Sequence, residues 1–150
     1  MSTHSIVFTT FDSAGDRRLV GWGAFRRALV SSRQIGEPTC ELESPDPGGE
    51  GDGAGATVWR LLAPNNRELG RSWAVYRSRA EAVRHLEVLR GEAHELAVIG
   101  LRGAHSSQYG WVATAAGRAV MTTGRWFGAS STGYHSAATA LTAIRDAVVV

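Results

Sequence analysis

Lysine is absent from this chain, and all 16 of its basic side chains are arginine. That excludes a Schiff-base lysine and the lysine of a nucleotide-binding P-loop. A single cysteine, Cys40, cannot build an internal disulfide framework. No apolar run approaches the roughly 18 residues of a membrane span. The opening Met1-Ser2-Thr3-His4-Ser5 has no basic region leading into an apolar stretch, so the expectation is a cytoplasmic protein with a reduced thiol and no membrane partner.

What is present is ordinary for a folded protein: 150 residues, 43% hydrophobic and 20% charged, with 18 glycines. These values suit one soluble domain, or two small halves sharing a core, and exclude collagen and wholesale disorder. The formal net charge of +2 is unevenly spread. Residues 57–150 hold eleven arginines against six acids, whereas residues 44–56 hold three acids and no base.

That acidic stretch, Ser44 to Ala56, is built of Pro, Gly, Asp and Glu and cannot bury enough surface to offset its ordering entropy. It reads as a flexible linker between an N-terminal segment, 1–43, and a larger domain, 57–150. Gly51-x-Gly53-x-x-Ala56 has the letters of a dinucleotide fingerprint, but an acidic loop precedes it and a strand pattern follows, the reverse of what phosphate binding needs.

Within the larger domain one pattern occurs twice, in units of about 57–100 and 109–150. Thr57 to Ala63 alternates as a strand, Pro64-Asn65-Asn66-Arg67 is turn chemistry, and Glu68 to Val75 returns. Ser78 and Glu81 then have the spacing of a capping box ahead of a helix with Ala82, Val83, Leu86 and Leu89 on one stripe, stopped at Gly91. Glu95 to Gly100 reads as a further strand. In the second unit Tyr109 to Ala115, the turn Ala116-Gly117-Arg118 and Ala119 to Thr123 form the hairpin. Its helix is placed at Tyr134-His135-Ser136, with Ala138, Ala140, Leu141 and Ile144 on its stripe, and Ala147 to Val150 closes as a strand. The helix starts are then 58 residues apart (134 less 76) and the first strands 52 (111 less 59), so about six extra residues are expected in the second unit, within Gly124 to Gly133.

The order of an aromatic strand, an Asn or Gly turn, a returning strand, Tyr-x-Ser and an Ala-rich helix resembles the YegP-like family of small bacterial domains of unknown function. The residues that carry it are Trp59, Tyr76, Ser78, Ala80 and Ala82 in one copy and Trp111, Tyr134, Ser136, Ala138 and Ala140 in the other. The resemblance implies an α+β fold in which tandem β-β-β-α-β units merge into one antiparallel sheet with helices packed on it. It implies no established activity, no catalytic residues and no cofactor.

Ahead of the linker, Ser5 to Phe11 reads as a strand, Asp12 to Asp16 as a turn, Leu19 to Trp22 as a return strand and Ala24 to Gln34 as a helix. This segment is either a divergent third unit or an unrelated hairpin and helix beside the core. As an unpaired unit its open sheet edge would favour a homodimer.

Few residues offer chemistry. Ser131 and His135, with Asp146 further along, are the ingredients of a serine hydrolase, set against the simpler reading of a polar loop. Gly128 to Gly133 imitates a P-loop but has Tyr134-His135 where Lys-Ser/Thr is required. His85 and His94 lack the i, i+4 spacing of a helical metal pair, His4 and His105 sit in loop-like sequence, and all four read as surface histidines, so no metal is implied. Trp59, Trp73 and Trp111 fall on periodic apolar faces and belong in the core. Arg125, Trp126 and Phe127, between Gly124 and Gly128, read instead as a contact surface for a protein or small ligand, unless the loop folds back and buries Trp126 as a lid. The expected function is therefore a small non-enzymatic interaction or binding module. The alternative is nucleic-acid binding through arginine and exposed aromatics, which the interleaving of Arg77, Arg79, Arg84 and Arg90 with Glu81, Glu87 and Glu92 disfavours.

Overall fold

The computed structural model of the chain describes residues 3–36, 42, 55–105 and 107–150. Strand β1 (Ser5–Phe11) leads into helix α1 (Arg17–Val30) and the short strand β2 (Arg33–Ile35). Then follow β3 (Ala56–Leu62), β4 (Glu68–Ser72), α2 (Arg79–Gly91), a one-turn 3₁₀ segment at Ala93–Glu95, β5 (Ala97–Arg102), β6 (Tyr109–Ala115), β7 (Arg118–Thr122), α3 (Ser130–Ile144) and β8 (Val148–Val149). All eight strands join one sheet in the order β2-β5-β6-β7-β4-β3-β1-β8. The expected sheet was wholly antiparallel. The observed one is mixed, because β8 runs parallel to β1 through Ser5↔Val148 and Ile6↔Val149.

Two meanders, β1-β3-β4 and β5-β6-β7, lie side by side through the antiparallel pairing of β4 with β7 at Arg71↔Thr122 and Ser72↔Met121. Each is followed by a helix, and the helices cover the same face of the sheet. Strand alternation sorts the side chains: Ile6, Phe8, Trp59, Leu61, Trp111, Ala113 and Met121 meet Ala82, Leu86 and Leu89 of α2 and Ala137, Ala140 and Ile144 of α3. Trp59 and Trp111 are fully buried. At about 200 Å² each and about 25 cal/mol per Å², each contributes at most about 5 kcal/mol of transfer free energy.

The opposite face takes α1. Leu19, Trp22, Arg26 and Leu29 form its buried stripe at helical spacing, above Phe11, Val58, Trp73, Leu101 and Val112. Asp16 caps the helix by accepting from the Arg18 backbone N–H at 2.9 Å. The expected return strand Leu19 to Trp22 is thus the first part of α1. Gly21 and Gly23 have poor helix propensity, but burial of the Leu19/Trp22 stripe on the sheet overrides it. Nor do these residues form a separate third unit, since β1 is the outer strand of the first meander, where β5 is that of the second. The stretch read as a linker lies outside the described residues except Gly55 and Ala56, and Ala56 already begins β3.

A second correction concerns the inserted residues. Helices α2 and α3 begin at Arg79 and Ser130, 51 positions apart (130 less 79), and the isolated bridges Thr57↔Tyr76 and Tyr109↔Phe127 differ by 52 and 51 (109 less 57, 127 less 76). The two halves therefore run in step without a six-residue insertion. The counterpart of Tyr76 is Phe127, not Tyr134, which lies inside α3. Low helix propensity in Ser130-Ser131-Thr132-Gly133 disguised the first turn of α3, where no side chain caps the helix and Gly133 is buried in line with Ala137 and Ala140.

Candidate functional site

Trp126 is half-buried and packs on Phe25 with ring centroids 5.5 Å apart. Phe127 is buried in the core, bridged to β6 by reciprocal backbone bonds with Tyr109 of 2.7 and 2.9 Å. Of the three residues read as a contact surface, only Arg125 is exposed, with its guanidinium 4.9 Å from the Phe127 ring centroid.

Helix α3 carries Asp146 away from the other two serine-hydrolase ingredients. Ser131 and His135 are exposed positions on α3, and Asp146 follows the helix, 15 residues after Ser131 (146 less 131). At 1.5 Å per residue that is about 22 Å, far beyond hydrogen-bond reach. Asp146 instead lines an open groove of about 580 Å³ with His4, Thr139 and Thr142. Among the described residues no group of three His, Cys, Asp or Glu side chains is placed to hold a metal ion.

Among the described residues, one polar group stands out that the sequence did not mark as a site. His85, expected on the surface, is half-buried on the inner side of α2 and shares a hydrogen bond of 2.5 Å between its Nδ1 and the Tyr76 hydroxyl. The Trp59 indole Nε1–H reaches the same oxygen at 3.4 Å. Three separate stretches of the chain meet here. Strand β3 supplies Trp59, the bridge residue after β4 supplies Tyr76, and the second turn of α2 supplies His85. Helix placement is secured at its start, where Ser78 Oγ accepts from the Glu81 N–H at 3.2 Å and the Glu81 carboxylate accepts from the Arg77 N–H at 3.2 Å. This is a capping box whose return bond lands one residue earlier than usual.

Donor and acceptor roles follow from the inventory of the three side chains. An indole N–H can only donate, so the Tyr76 oxygen accepts from Trp59, and with no third polar partner for that hydroxyl among the described residues its own hydrogen finds an acceptor only at Nδ1 of His85. His85 is then neutral and carries its proton on Nε2. Burial pushes the Tyr76 phenol up to about 12, opposed by the Trp59 hydrogen bond and reinforced by Glu81. Burial likewise pushes the His85 imidazole below its ordinary range, with the charges of Glu92 and Glu81 pulling the other way. The rest of the ring borders a cleft of about 210 Å³ between α2 and the β6–β7 hairpin, whose lining includes Val88, Glu92, Arg118, Ala119 and Val120.

The second half keeps the framework without the polar chain. Phe127 replaces Tyr76, Ser136 stands 51 positions after His85 (136 less 85), and the Trp111 indole N–H is buried with no partner among the described residues. Sequence reasoning passed over His85 because Tyr76 and His85, nine positions apart, form no recurring motif. The available signal was that position 85 follows Ala82 by three on the predicted apolar stripe.

No family model matches the chain, and no curated protein matches it. Among solved structures it is similar to the solution structure of yegP from E. coli, a protein of unknown function, with a TM-score of 0.50 and 13% sequence identity over 63% of this chain and 80% of that one. Among the described residues no helix is long and apolar enough to cross a membrane. The described residues fold into an eight-stranded mixed sheet with three helices packed on it, and this fold is YegP-like.

Proposed function

We propose that this chain is a non-enzymatic binding module whose ligand site is the cleft between α2 and the β6–β7 hairpin. The observation that carries this reading is the Trp59–Tyr76–His85 chain, which holds one imidazole in a single tautomer beside a small, partly apolar cleft. Such sites present a few fixed polar groups on an apolar lining. With Nε2–H as donor, Arg118 as cation and Glu92 as anion, the lining complements a small zwitterion of about amino-acid size. Recognition is favoured over catalysis because a phenol pushed up to about 12 and an imidazole pushed down hold their protons too differently to exchange them near neutral pH.

The test is an NMR titration of the full chain with free amino acids and dipeptides at millimolar concentration, following the His85 ring resonances. Saturable shifts that His85→Ala abolishes and Trp126→Ala leaves intact support the cleft. Unmoved His85 resonances across the panel refute it, and shifts lost only in Trp126→Ala return the site to Arg125 and Trp126.

The nucleic-acid alternative is weakened by how the arginines are used. Arg18, Arg71, Arg79 and Arg125 each lie over an aromatic ring, within 4.2–5.1 Å of its centroid, and Arg90 donates to the Arg145 and Ala147 carbonyls. Fluorescence anisotropy with short DNA and RNA at low salt decides, since phosphate-driven binding is strong there. Self-association belongs to the same proposal. Val148 and Val149 on the outer strand β8 are 52% and 41% exposed, an apolar strand edge suited to pairing with a second copy. Light scattering that gives only monomer at high concentration refutes that part.

A further inference from the structure

We propose that the layer between α1 and the sheet contains a second site, for a small oxyanion such as a carboxylate or phosphate, built on Arg26, Trp22 and Arg71. Arg26 is only 3% exposed, and its Nη1 donates to the Trp73 carbonyl at 2.9 Å. Its Nε is buried with no partner among the described residues. One helical turn earlier, on the same face of α1, the Trp22 indole N–H is also buried without a partner there. Arg71 places its guanidinium 4.2 Å from the Trp22 ring centroid and is held by both oxygens of Glu68 at 2.7 and 2.9 Å.

The chemistry asks for an anion. A guanidinium does not give up its proton in proteins, so Arg26 keeps its charge even when burial opposes it. Among the described residues, Arg26, Arg71 and Glu68 leave this layer with one positive charge in excess and two unused N–H donors a turn apart. A neutral carbonyl would satisfy a donor and leave the charge, whereas a carboxylate or phosphate answers both and matches the planar fork of arginine. The Arg71 and Glu68 side chains, 16% and 22% exposed, give the cluster its contact with solvent. This site is independent of the His85 cleft, which lies on the other face of the sheet.

The experiment is calorimetric and thermal titration of the full chain with inorganic phosphate and, separately, with acetate, at ionic strength held constant by chloride. The expected result is saturable binding and a rising unfolding midpoint with at least one of them, abolished in Arg26→Gln. Trp22→Phe keeps an aromatic ring and loses the N–H, and is expected to weaken binding about tenfold. A response to acetate alone assigns a carboxylate ligand, and a response to phosphate alone assigns a phosphate. No response to either, or an equal response in the wild type and Arg26→Gln, overturns the proposal. Should Arg26→Gln fail to fold, an unchanged affinity in Trp22→Phe overturns it equally.

Discussion

Replacing Tyr76 by Phe removes one oxygen atom and strands two partners. The Trp59 indole N–H, in a residue with no exposed surface, loses its acceptor, and His85 Nδ1 loses its donor. Leaving a buried polar group unsatisfied costs about 1–3 kcal/mol. The Trp59 bond is long at 3.4 Å, so its loss falls at the low end, about 1 kcal/mol. His85 is half-buried and can recruit water, so its loss is also about 1 kcal/mol. The total of about 2 kcal/mol lowers the unfolding midpoint of a domain this size by about 4–8 °C. The ring still packs, because Phe127 fills the matching place in the other half. Urea unfolding measures the loss, and NMR titration of His85 supplies a second readout. A donor at Nδ1 favours only the neutral ring, so its removal raises the His85 pKa toward the ordinary range. A loss below about 0.5 kcal/mol together with an unmoved His85 pKa would refute the assigned chain of donors and acceptors.

Other outcomes follow from the same geometry. Phe127→Tyr offers the Trp111 N–H the acceptor that Trp59 already has, and is expected to stabilise by about 0.5–1.5 kcal/mol in thermal melts; a destabilised variant means the halves are not equivalent there. Ala116 has a φ of 49° and Gly117 one of 79° in the β6–β7 turn, so Ala116→Asn, better suited to that region, should gain about 0.5–1 kcal/mol, and an unchanged unfolding midpoint counts against it. His85 binds its proton more weakly folded than unfolded, so its contribution is full above its unfolded pKa of about 6.5 and declines as pH falls from there to the folded value. Tyr76, raised from 10.0 to about 12, contributes fully below pH 10 and loses up to about 2–3 kcal/mol as pH rises through that interval. Unfolding midpoints across both limbs check this, and an alkaline limb unaltered in Tyr76→Phe contradicts it.

Strands β3 to β7 and their turns were legible because alternation at Trp59, Leu61, Trp111 and Ala113 carries the signal of a two-sided sheet, whereas β2 was read as the end of a helix. Helix α2 was legible through Ser78, Glu81 and its Leu stripe. Two elements were hidden by glycine. Gly21 and Gly23 masked α1, whose helical character comes from burying Leu19, Trp22 and Leu29 on the sheet, and Gly133 masked the first turn of α3. That second error shifted the alignment of the halves by seven residues and created an apparent insertion around Trp126. The candidate site was hidden for another reason. Trp59, Tyr76 and His85 belong to three elements, and only pairing of β3 with the segment after β4, plus docking of α2, brings them together. Distances of that kind are set by tertiary structure and leave no local spacing to read.

The comparison between halves bears on why the polar chain exists. Both halves bury a tryptophan at the same place in the sheet, and both bridge an aromatic residue back to it through two backbone hydrogen bonds. Were a hydrogen-bonded indole needed to close the core, Trp111 would need one too. Yet its N–H is buried without a partner among the described residues, beside Phe127 and a helix lined with alanine rather than leucine. The second half therefore absorbs a cost of about 1–3 kcal/mol that the first avoids, and packs nonetheless. Hydroxyl and imidazole are accordingly optional for the architecture. Their presence in one half, with the imidazole bordering a cleft flanked by Glu92 and Arg118, ties them to that cleft. A polar network dispensable to a scaffold but present where it fixes a donor beside open space is what the proposed binding role calls for and packing alone does not.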